Sequence, residues 1–370
     1  MNAQIDNVYY LPKFQNRHGG GGSNNAPDFV ASGFDTLWQS KFPDLFLKAP
    51  TYTDPAKGGY DLLPQYSVDE SWGPELNGQM IRPYYSFDQN KGNPYFGVTT
   101  PWAPQPDNIR DFYETGITLT NSISVGGSND KGSFRLAYSN LNQNFILPNS
   151  LLRRNNFGFN GSHTLTKNRN LSVVVSANYS ENFVRGQSAT GFSGYNPTQL
   201  FTMYGQRQLE MDMLKFYKFA DGSQVSWNRT SPTNPRPLFA TTPYWHQYED
   251  YPTDSRKRLY GLTGFDFKPA DWINLSAKVF IDQFNTVREE RIARDYTPGN
   301  YSRTDIEHRE LNYQFIASAQ KELNQNFNIN AALGGNIMNS RDVVNSASYA
   351  GLITPGLYTL TNNIGRINVG

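Results

Sequence analysis

The chain has 370 residues, enough for one large domain or for two. Aromatic residues make up 14% of the chain although hydrophobic residues reach only 37%, which argues against disorder and fits a β protein with one polar face. The 33 Lys and Arg balance 32 Asp and Glu without a basic block, which argues against a nucleic-acid partner, and the absence of Cys excludes disulfides and thiolate sites.

Residues 1–111 carry little hydrophobic periodicity, and we predict a long loop region with short embedded elements. A structureless segment of this length is uncommon in a compact domain unless it is functional. Four glycines follow His18 and could cradle a phosphate, but the Gly-Lys-Ser/Thr that completes such a loop is missing, so a flexible loop is preferred. Aromatic residues recur along the segment, including Trp38, Trp72, Tyr84, Tyr85 and Trp102.

Residues 112–140 have the pattern of a β-hairpin. Apolar side chains at Ile117, Leu119, Ile123 and Val125 alternate with Thr and Ser, and Phe134, Leu136 and Tyr138 continue the alternation in a second strand. Since side chains on a strand point alternately to its two faces, the hairpin has one apolar and one polar face. Residues 126–130 (Gly-Gly-Ser-Asn-Asp) supply the turn. The apolar face could contact a protein core or lipid.

Six further strands are predicted from the same alternation, at residues 156–165, 171–180, 259–268, 273–282, 311–320 and 327–333. The register of residues 259–268 is left open. Short turns near Asn129, Asn168, Ala270 and Asn324 alternate strictly with long connections at about residues 181–256 and 288–303. Asn196 and Pro197 have N-cap and N1 chemistry, which predicts a helix in the first long connection up to about Phe219.

This rhythm predicts the fold class and the domain organisation. An all-β array of antiparallel, up-and-down strands with short turns on one side and long loops on the other is typical of outer-membrane β-barrels. We assign residues 112–338 to hairpins of the barrel wall, residues 1–111 to an extracellular loop region, and residues 339–370 to the start of another loop. A soluble β-sandwich would alternate as well, but its loops do not usually segregate by length.

Several segments resemble the SusC/RagA family, the TonB-linked outer-membrane transporters of the Bacteroidota. The resemblance is strongest at residues 107–116 (DNIRDFYETG) and 126–140 (GGSNDKGSFRLAYSN). Further matches occur, in the order of the family, at residues 11–16, 71–74, 77–79, 148–150, 243–245 and 271–272. Because the likeness extends over nearly the whole chain, it is more specific than a single short motif.

The resemblance implies an importer in the outer membrane, with a plugged barrel of about 22 strands surrounded by lipid. A SusD-like surface lipoprotein would capture an oligosaccharide or peptide, and the TonB complex would supply energy. The sequence lacks a signal peptide, a TonB-binding box and a plug domain, and is therefore interpreted as an internal fragment of the wall. Expressed alone, such a fragment is expected to aggregate, because unpaired strand edges cannot be satisfied in lipid.

No pattern of catalytic or metal-binding residues is present. The four His lie far apart without metal-ligand spacing, and Glu289 and Glu290 are interpreted as solvated loop charges. We therefore predict no enzymatic activity, no cofactor and no metal.

Six aromatic residues on the predicted extracellular loops are candidate substrate contacts, since flat rings stack on sugars and peptides. They are Trp72, Tyr84, Tyr85, Trp102, Tyr244 and Trp245. The same rings could instead pack the loops against one another or against the lipoprotein. The alternative function is a soluble or surface-attached all-β module that binds glycans for adhesion.

Overall fold

The computed structural model describes residues 1–22, 64, 66–168, 170–193, 195–231, 234–325 and 327–370. The strands are β1 (Asn2–Asp6), β2 (Met80–Ile81), β3 (Thr100–Pro101), β4 (Gly116–Asn129), β5 (Gly132–Asn144), β6 (Leu151–Thr164), β7 (Leu171–Arg185), β8 (Arg229–Ser231), β9 (Asn234–Pro237), β10 (Thr253–Ala270), β11 (Ile273–Ile292), β12 (Asn300–Asn324), β13 (Phe327–Ala350) and β14 (Asn368–Val369). The α-helices are α1 (Asn108–Phe112), α2 (Pro197–Gln199), α3 (Met211–Leu214) and α4 (Pro243–Tyr248). None of the helices in the described part of the chain has the length and hydropathy needed to span a membrane.

Ten of these strands form one antiparallel sheet in the order β1-β4-β5-β6-β7-β10-β11-β12-β13-β14. From β4 onward each strand pairs with the next strand of the sheet along the chain, so the topology is up-and-down. The all-β fold class is confirmed. The short pairs β2-β3 and β8-β9 lie in the long connections.

One face of the sheet, called here the apolar face, carries aliphatic and aromatic side chains in continuous rows. Val125 lies opposite Leu136, and Leu136 lies opposite Phe159 on the next strand. The side chains are largely exposed, reaching 71% for Ile123 and 75% for Leu333, so the face packs against no other described part of the protein. Other members exposed by more than a third are Ile117, Phe134, Phe157, Phe265, Phe267, Tyr313, Phe315 and Ile337.

The opposite face of the sheet, called here the polar face, carries hydroxyl, amide and charged side chains. Ser122, Ser139, Asn156 and Ser180 occupy one row across four strands. Elsewhere on this face Ser176 donates a hydrogen bond to the Oδ1 of Asn160 over 2.8 Å. The alternation predicted from the sequence therefore separates two chemically different surfaces.

The later strands are longer than the sequence predicted. β11, β12 and β13 contain 20, 25 and 24 residues, whereas apolar alternation covers only the part of each strand next to its tight turn. Beyond that part polar and charged residues predominate and the regular apolar alternation ends, while the backbone ladder continues without a break. The long connections are correspondingly shorter, at residues 186–252, 293–299 and 351–367. β13 thus extends to Ala350, where residues 339–370 were expected to be loop, and residues 1–111 include β1.

The first hairpin turns later than predicted. Gly126, Gly127 and Asn129 belong to β4, and the turn consists of Asp130 and Lys131. The Oδ1 of Asn129 accepts hydrogen bonds from the backbone N–H groups of Lys131 (2.9 Å) and Gly132 (3.0 Å). Because these hydrogen bonds stabilise a turn directly after Asn129, the chain reverses at Asp130 and Lys131, at the end of the predicted turn segment 126–130.

The predicted helix in the first long connection begins as expected but is interrupted. The Oδ1 of Asn196 accepts from the N–H of Thr198, as an N-cap does, and Pro197 is the first residue of α2. A π-helical turn, Leu200–Tyr204, follows, and the helix ends at Gly205, whose φ and ψ are extended. α3 is a separate piece of four residues. The prediction of one helix up to Phe219 is wrong, because Gly205 and the polar residues after it favour a break.

Most buried hydrophobic side chains lie outside the sheet, in a region called here the loop block, which consists of the described residues of 8–113 and 186–252. Its core is rich in aromatic rings. The buried members include Tyr66, Tyr84, Tyr85, Phe87, Phe112, Phe201, Leu214, Phe219, Trp227 and Tyr244. The two long connections, far apart in sequence, therefore fold as one packed unit beside the end of the sheet where the long loops emerge.

Candidate functional site

The glycine run after His18 is a packed element of the loop block. Gly19 donates to the carbonyl of Pro74 (3.0 Å), and the amide of Gly20 donates to the Oε1 of Gln208 (2.8 Å). A Cβ at Gly19 would lie 2.2 Å from the Cζ2 of Trp102. The run is therefore not the flexible loop that the sequence favoured. These amides bond to the protein itself, which leaves no phosphate cradle here.

Arg207 joins three distant segments of the loop block. Its guanidinium donates to the Oδ1 of Asn16 (2.8 Å), to the Oδ1 of Asn108 (2.6 Å) and to the carbonyl of Pro106 (2.9 Å). Burial lowers the pKa of Arg207 from its usual value, and Asp107 partly opposes this shift. Two of the segments that resemble the SusC/RagA family, residues 11–16 and 107–116, thus meet at one arginine of the connection between β7 and β10.

A buried ion pair holds a second part of the loop block. The Nη1 of Arg229 lies 2.6 Å from the Oδ2 of Asp88, with side-chain exposures of 0% and 10%. The guanidinium also lies 5.1 Å from the centroid of the Phe87 ring. Asp88 has a left-handed backbone (φ 65°), a conformation that Asp and Asn tolerate better than most residues. The pair fixes the short elements near residue 88 against β8.

The six aromatic residues predicted to contact substrate fall into two groups. Trp72 is 50% exposed, and its ring lies 4.8 Å from that of His18. The other five, Tyr84, Tyr85, Trp102, Tyr244 and Trp245, are buried at 5% exposure or less. In this conformation those five rings pack the loops against one another, the alternative that the sequence left open. The structure does not bring the six together as one exposed surface.

A cavity of about 430 Å³ lies where the connection between β7 and β10 meets β11 and β12. Its wall includes Tyr195, His246, Asp250 and Glu290. The Nδ1 of His246 lies 3.0 Å from the Oδ2 of Asp250, and the Nε2 of His246 lies 2.6 Å from the Oγ1 of Thr241. Burial, with Asp250 and Glu290 nearby, raises the pKa of Tyr195 to about 12. The cavity is large enough for part of a small ligand.

Sequence reasoning missed this cavity, although a signal was present. His246 and Asp250 are four residues apart, one helical turn, and Thr242 and Pro243 begin α4 as N-cap and N1. Tyr195 and Glu290, by contrast, come from distant parts of the chain, and only the fold brings them close.

Glu289 and Glu290 lie on β11, so the prediction that they lie on a loop is wrong. The Oε1 of Glu289 accepts from the hydroxyl of Tyr301 (2.5 Å), and its Oε2 accepts from Arg291 (2.8 Å). Glu289 is therefore part of a polar network and not a solvated charge. Its neighbour Glu290 is exposed and points to the opposite face of the strand.

The polar face carries charged contacts between neighbouring strands. Arg258 of β10 makes a bidentate contact with Asp282 of β11, at 2.8 Å and 2.5 Å. The Nδ1 of His308 on β12 lies 2.6 Å from Asp342 on β13, and the His308 ring stacks on Phe284 at 4.9 Å. Among the described residues no group of three or more His, Cys, Asp or Glu is arranged to hold a metal ion.

The fold and its two faces define a class: an up-and-down β-sheet of the kind that forms the wall of a β-barrel. Solved structures with this fold include the RagAB peptide transporter, which matches with a TM-score of 0.53 and 14% identity over 71% of this chain. The RagAB peptide importer matches in the "closed-closed" state (TM-score 0.52, 14% identity, 71% of this chain) and in the "open-open" state (TM-score 0.53, 15% identity, 71% of this chain).

These comparisons show a SusC/RagA-like fold. The matched regions cover 29%, 30% and 29% of the three solved chains, so this chain spans less than a third of their length. No family model matches the chain, and no curated protein matches it.

Proposed function

We propose that this chain forms part of the wall and outer loops of a TonB-dependent outer-membrane importer. Oligosaccharides or peptides would be its cargo, and a SusD-like lipoprotein would cover the long-loop end. The similar RagAB structures are of a peptide importer, which favours peptides over oligosaccharides. The tight turns would face the periplasm and the loop block the cell exterior.

The observation that carries the proposal is the apolar face. On β12 its apolar alternation runs from Leu311 to Ala319, about the 9–11 residues with which a tilted strand spans a bilayer. A soluble protein rarely leaves so many large apolar side chains exposed in one continuous surface, because their exposure promotes aggregation. In a membrane the same surface contacts lipid, and the polar face borders an aqueous lumen.

The predicted aromatic contacts take different roles in this proposal. Trp72, half exposed on the loop block, can stack on cargo. The five buried rings hold the loop block in shape, so they would contact cargo only if the loops rearrange. The cavity beside Tyr195 and Glu290 is a second place where cargo could contact the long-loop end.

The test uses single cysteines, since the chain has none of its own. Val125→Cys and Leu136→Cys place a label on the apolar face, and their neighbours Ser124→Cys and Ala137→Cys place it on the polar face. After labelling with bimane and reconstitution in vesicles with brominated lipid, we expect strong quenching for the first pair and little for the second. Equal quenching on both faces would contradict the proposal.

Fractionation of cells that express the protein in its native gene context gives an independent test. The protein is expected in the outer-membrane fraction and should migrate differently on a gel after heating. A soluble monomer with no heat-dependent shift would favour the glycan-binding module instead.

A further inference from the structure

Two arginines face each other at the border of the apolar face. Arg309 of β12 and Arg341 of β13 are direct cross-strand partners, and Gln283 of β11 lies opposite Arg309 on the other side. Two residues nearer the tight turn, Leu311 occupies the same face of β12. The two cations therefore mark the line where the apolar rows end on the long-loop side.

The pair lacks the compensation that other charges on the sheet receive. Directly opposed like charges destabilise a β-ladder. Lys257 on the same face pairs with Glu181 (3.4 Å), but within the described residues neither Arg309 nor Arg341 has an ion pair or hydrogen bond from its side chain. Glu307, two residues from Arg309, forms none with them either. Both arginines are exposed.

The surface around the pair is concave and amphipathic. A depression of about 410 Å³ is lined by Arg309, Arg341 and Lys257 together with Tyr179, Leu259 and Glu307. Tyr179, Leu259, Gln283, Arg309 and Arg341 form one row across five strands, and Leu311 and Tyr313 continue the apolar face from this row toward the tight turn. A ligand that fits this surface has an anionic head and an apolar body.

We propose that Arg309 and Arg341 bind the phosphate of a membrane-lipid headgroup whose acyl chains lie along the apolar face. The inference rests on the proposed function, because it requires that face to contact lipid. Guanidinium groups match phosphate oxygens in bidentate geometry, and a phosphate between the two arginines neutralises their repulsion. The acyl chains then run from the arginines toward the tight turn, past Leu311 and Tyr313 on β12.

The experiment measures lipid binding to the full-length protein purified from outer membranes in detergent. The probes are phosphatidic acid, phosphatidylcholine and inorganic phosphate, followed by native mass spectrometry. Saturable binding is expected for phosphatidic acid, with weaker binding of the other two. Arg309→Gln and Arg341→Gln should each lower the affinity about fivefold, the effect of one basic residue beside an anionic lipid.

Arg135→Gln is the matched control, since it removes an arginine from the polar face of β5 and should leave the affinity unchanged. A second readout is the unfolding temperature. Without lipid, Arg341→Gln should raise the unfolding temperature, because the variant lacks the repulsion between the two arginines. With phosphatidic acid present, Arg341→Gln should unfold at a lower temperature than the unaltered protein, because it binds the lipid less tightly. Inorganic phosphate that binds as tightly as phosphatidic acid, or equal affinity losses in all three variants, would overturn the inference.

The location of the protein is checked in the same preparations. Recovery in the outer membrane together with unchanged lipid binding in Arg309→Gln and Arg341→Gln rejects the lipid site alone. Absence from the outer membrane rejects the proposed function itself.

Discussion

Gly19 lies in a place that no larger residue can occupy without displacing a buried ring. The Cβ of an alanine there would approach the Cζ2 of Trp102 to 2.2 Å, and Trp102 is fully buried. Gly19→Ala should therefore destabilise the loop block by about 1–3 kcal/mol, the usual cost of overpacking. Faster cleavage of the loop block in limited proteolysis would show it.

Gly22 belongs to the same run and provides the control. The nearest atom to its added Cβ is a Glu70 carboxylate oxygen at 3.9 Å, an ordinary contact. Gly22→Ala should leave the proteolysis rate close to that of the unaltered protein. If the two variants behave alike, the packing of the glycine run is not as described.

Asp295, in the connection between β11 and β12, makes the loops sensitive to pH. Burial raises the pKa of its carboxyl to about 6, although the backbone N–H groups of Gln224 and Tyr296 and the charge of Lys91 oppose the shift. The folded state therefore retains a proton that the unfolded chain has released, and the free energy of unfolding falls as pH rises from about 4 to about 6. Asp295→Asn should remove this dependence and slow proteolysis of the connection at pH 7. An unchanged pH profile would show that Asp295 is well solvated.

The β-strands were predictable from sequence to the extent that their two faces differ. Where one face is apolar and the other polar, as at Ile117 to Val125, alternation alone locates the strand. The half of β12 on the long-loop side, residues 300–310, is mostly polar on both faces. It therefore shows no regular apolar–polar alternation, although its ladder to β13 is continuous. The register of residues 259–268, which the sequence left open, follows from pairing on both sides, with Phe265 opposite Val173 and Ala277.

The loop block was not predictable in the same way, because its contacts join residues far apart in the chain. Arg207 and Asn16 illustrate this, since no local pattern pairs residues separated by 191 positions. Aromatic composition identified the rings of this block but could not separate the exposed Trp72 from the buried Trp102, because both occur in the same Trp-X-Pro sequence pattern. The sequence thus indicated which type of residue belongs to the candidate site, but it did not predict how these residues are arranged in space.

Most of the buried core of the described residues lies in the loop block, and no buried hydrophobic cluster of these residues lies in the middle of the large sheet. A sheet whose two faces are both exposed needs a different solvent on each side if the face rich in Phe, Leu and Ile is to be stable. That requirement connects the strand pattern, the segregation of loop lengths and the proposed place of the chain in a membrane. It also predicts that, at the level of the apolar rows, a charge is tolerated on the polar face only.

Val125→Arg and Ser124→Arg test this directly, because the two residues are neighbours on β4 and point to opposite faces. An arginine on the lipid-facing side of a barrel near the middle of the bilayer costs about 2–4 kcal/mol, whereas an arginine facing the lumen is solvated. Val125→Arg should therefore sharply reduce the heat-shifted, folded form in the outer membrane, and Ser124→Arg should leave it nearly unchanged. A soluble module would give the reverse order, because replacing an exposed Val by Arg improves solubility, so equal or higher recovery of Val125→Arg would contradict a lipid-facing apolar surface.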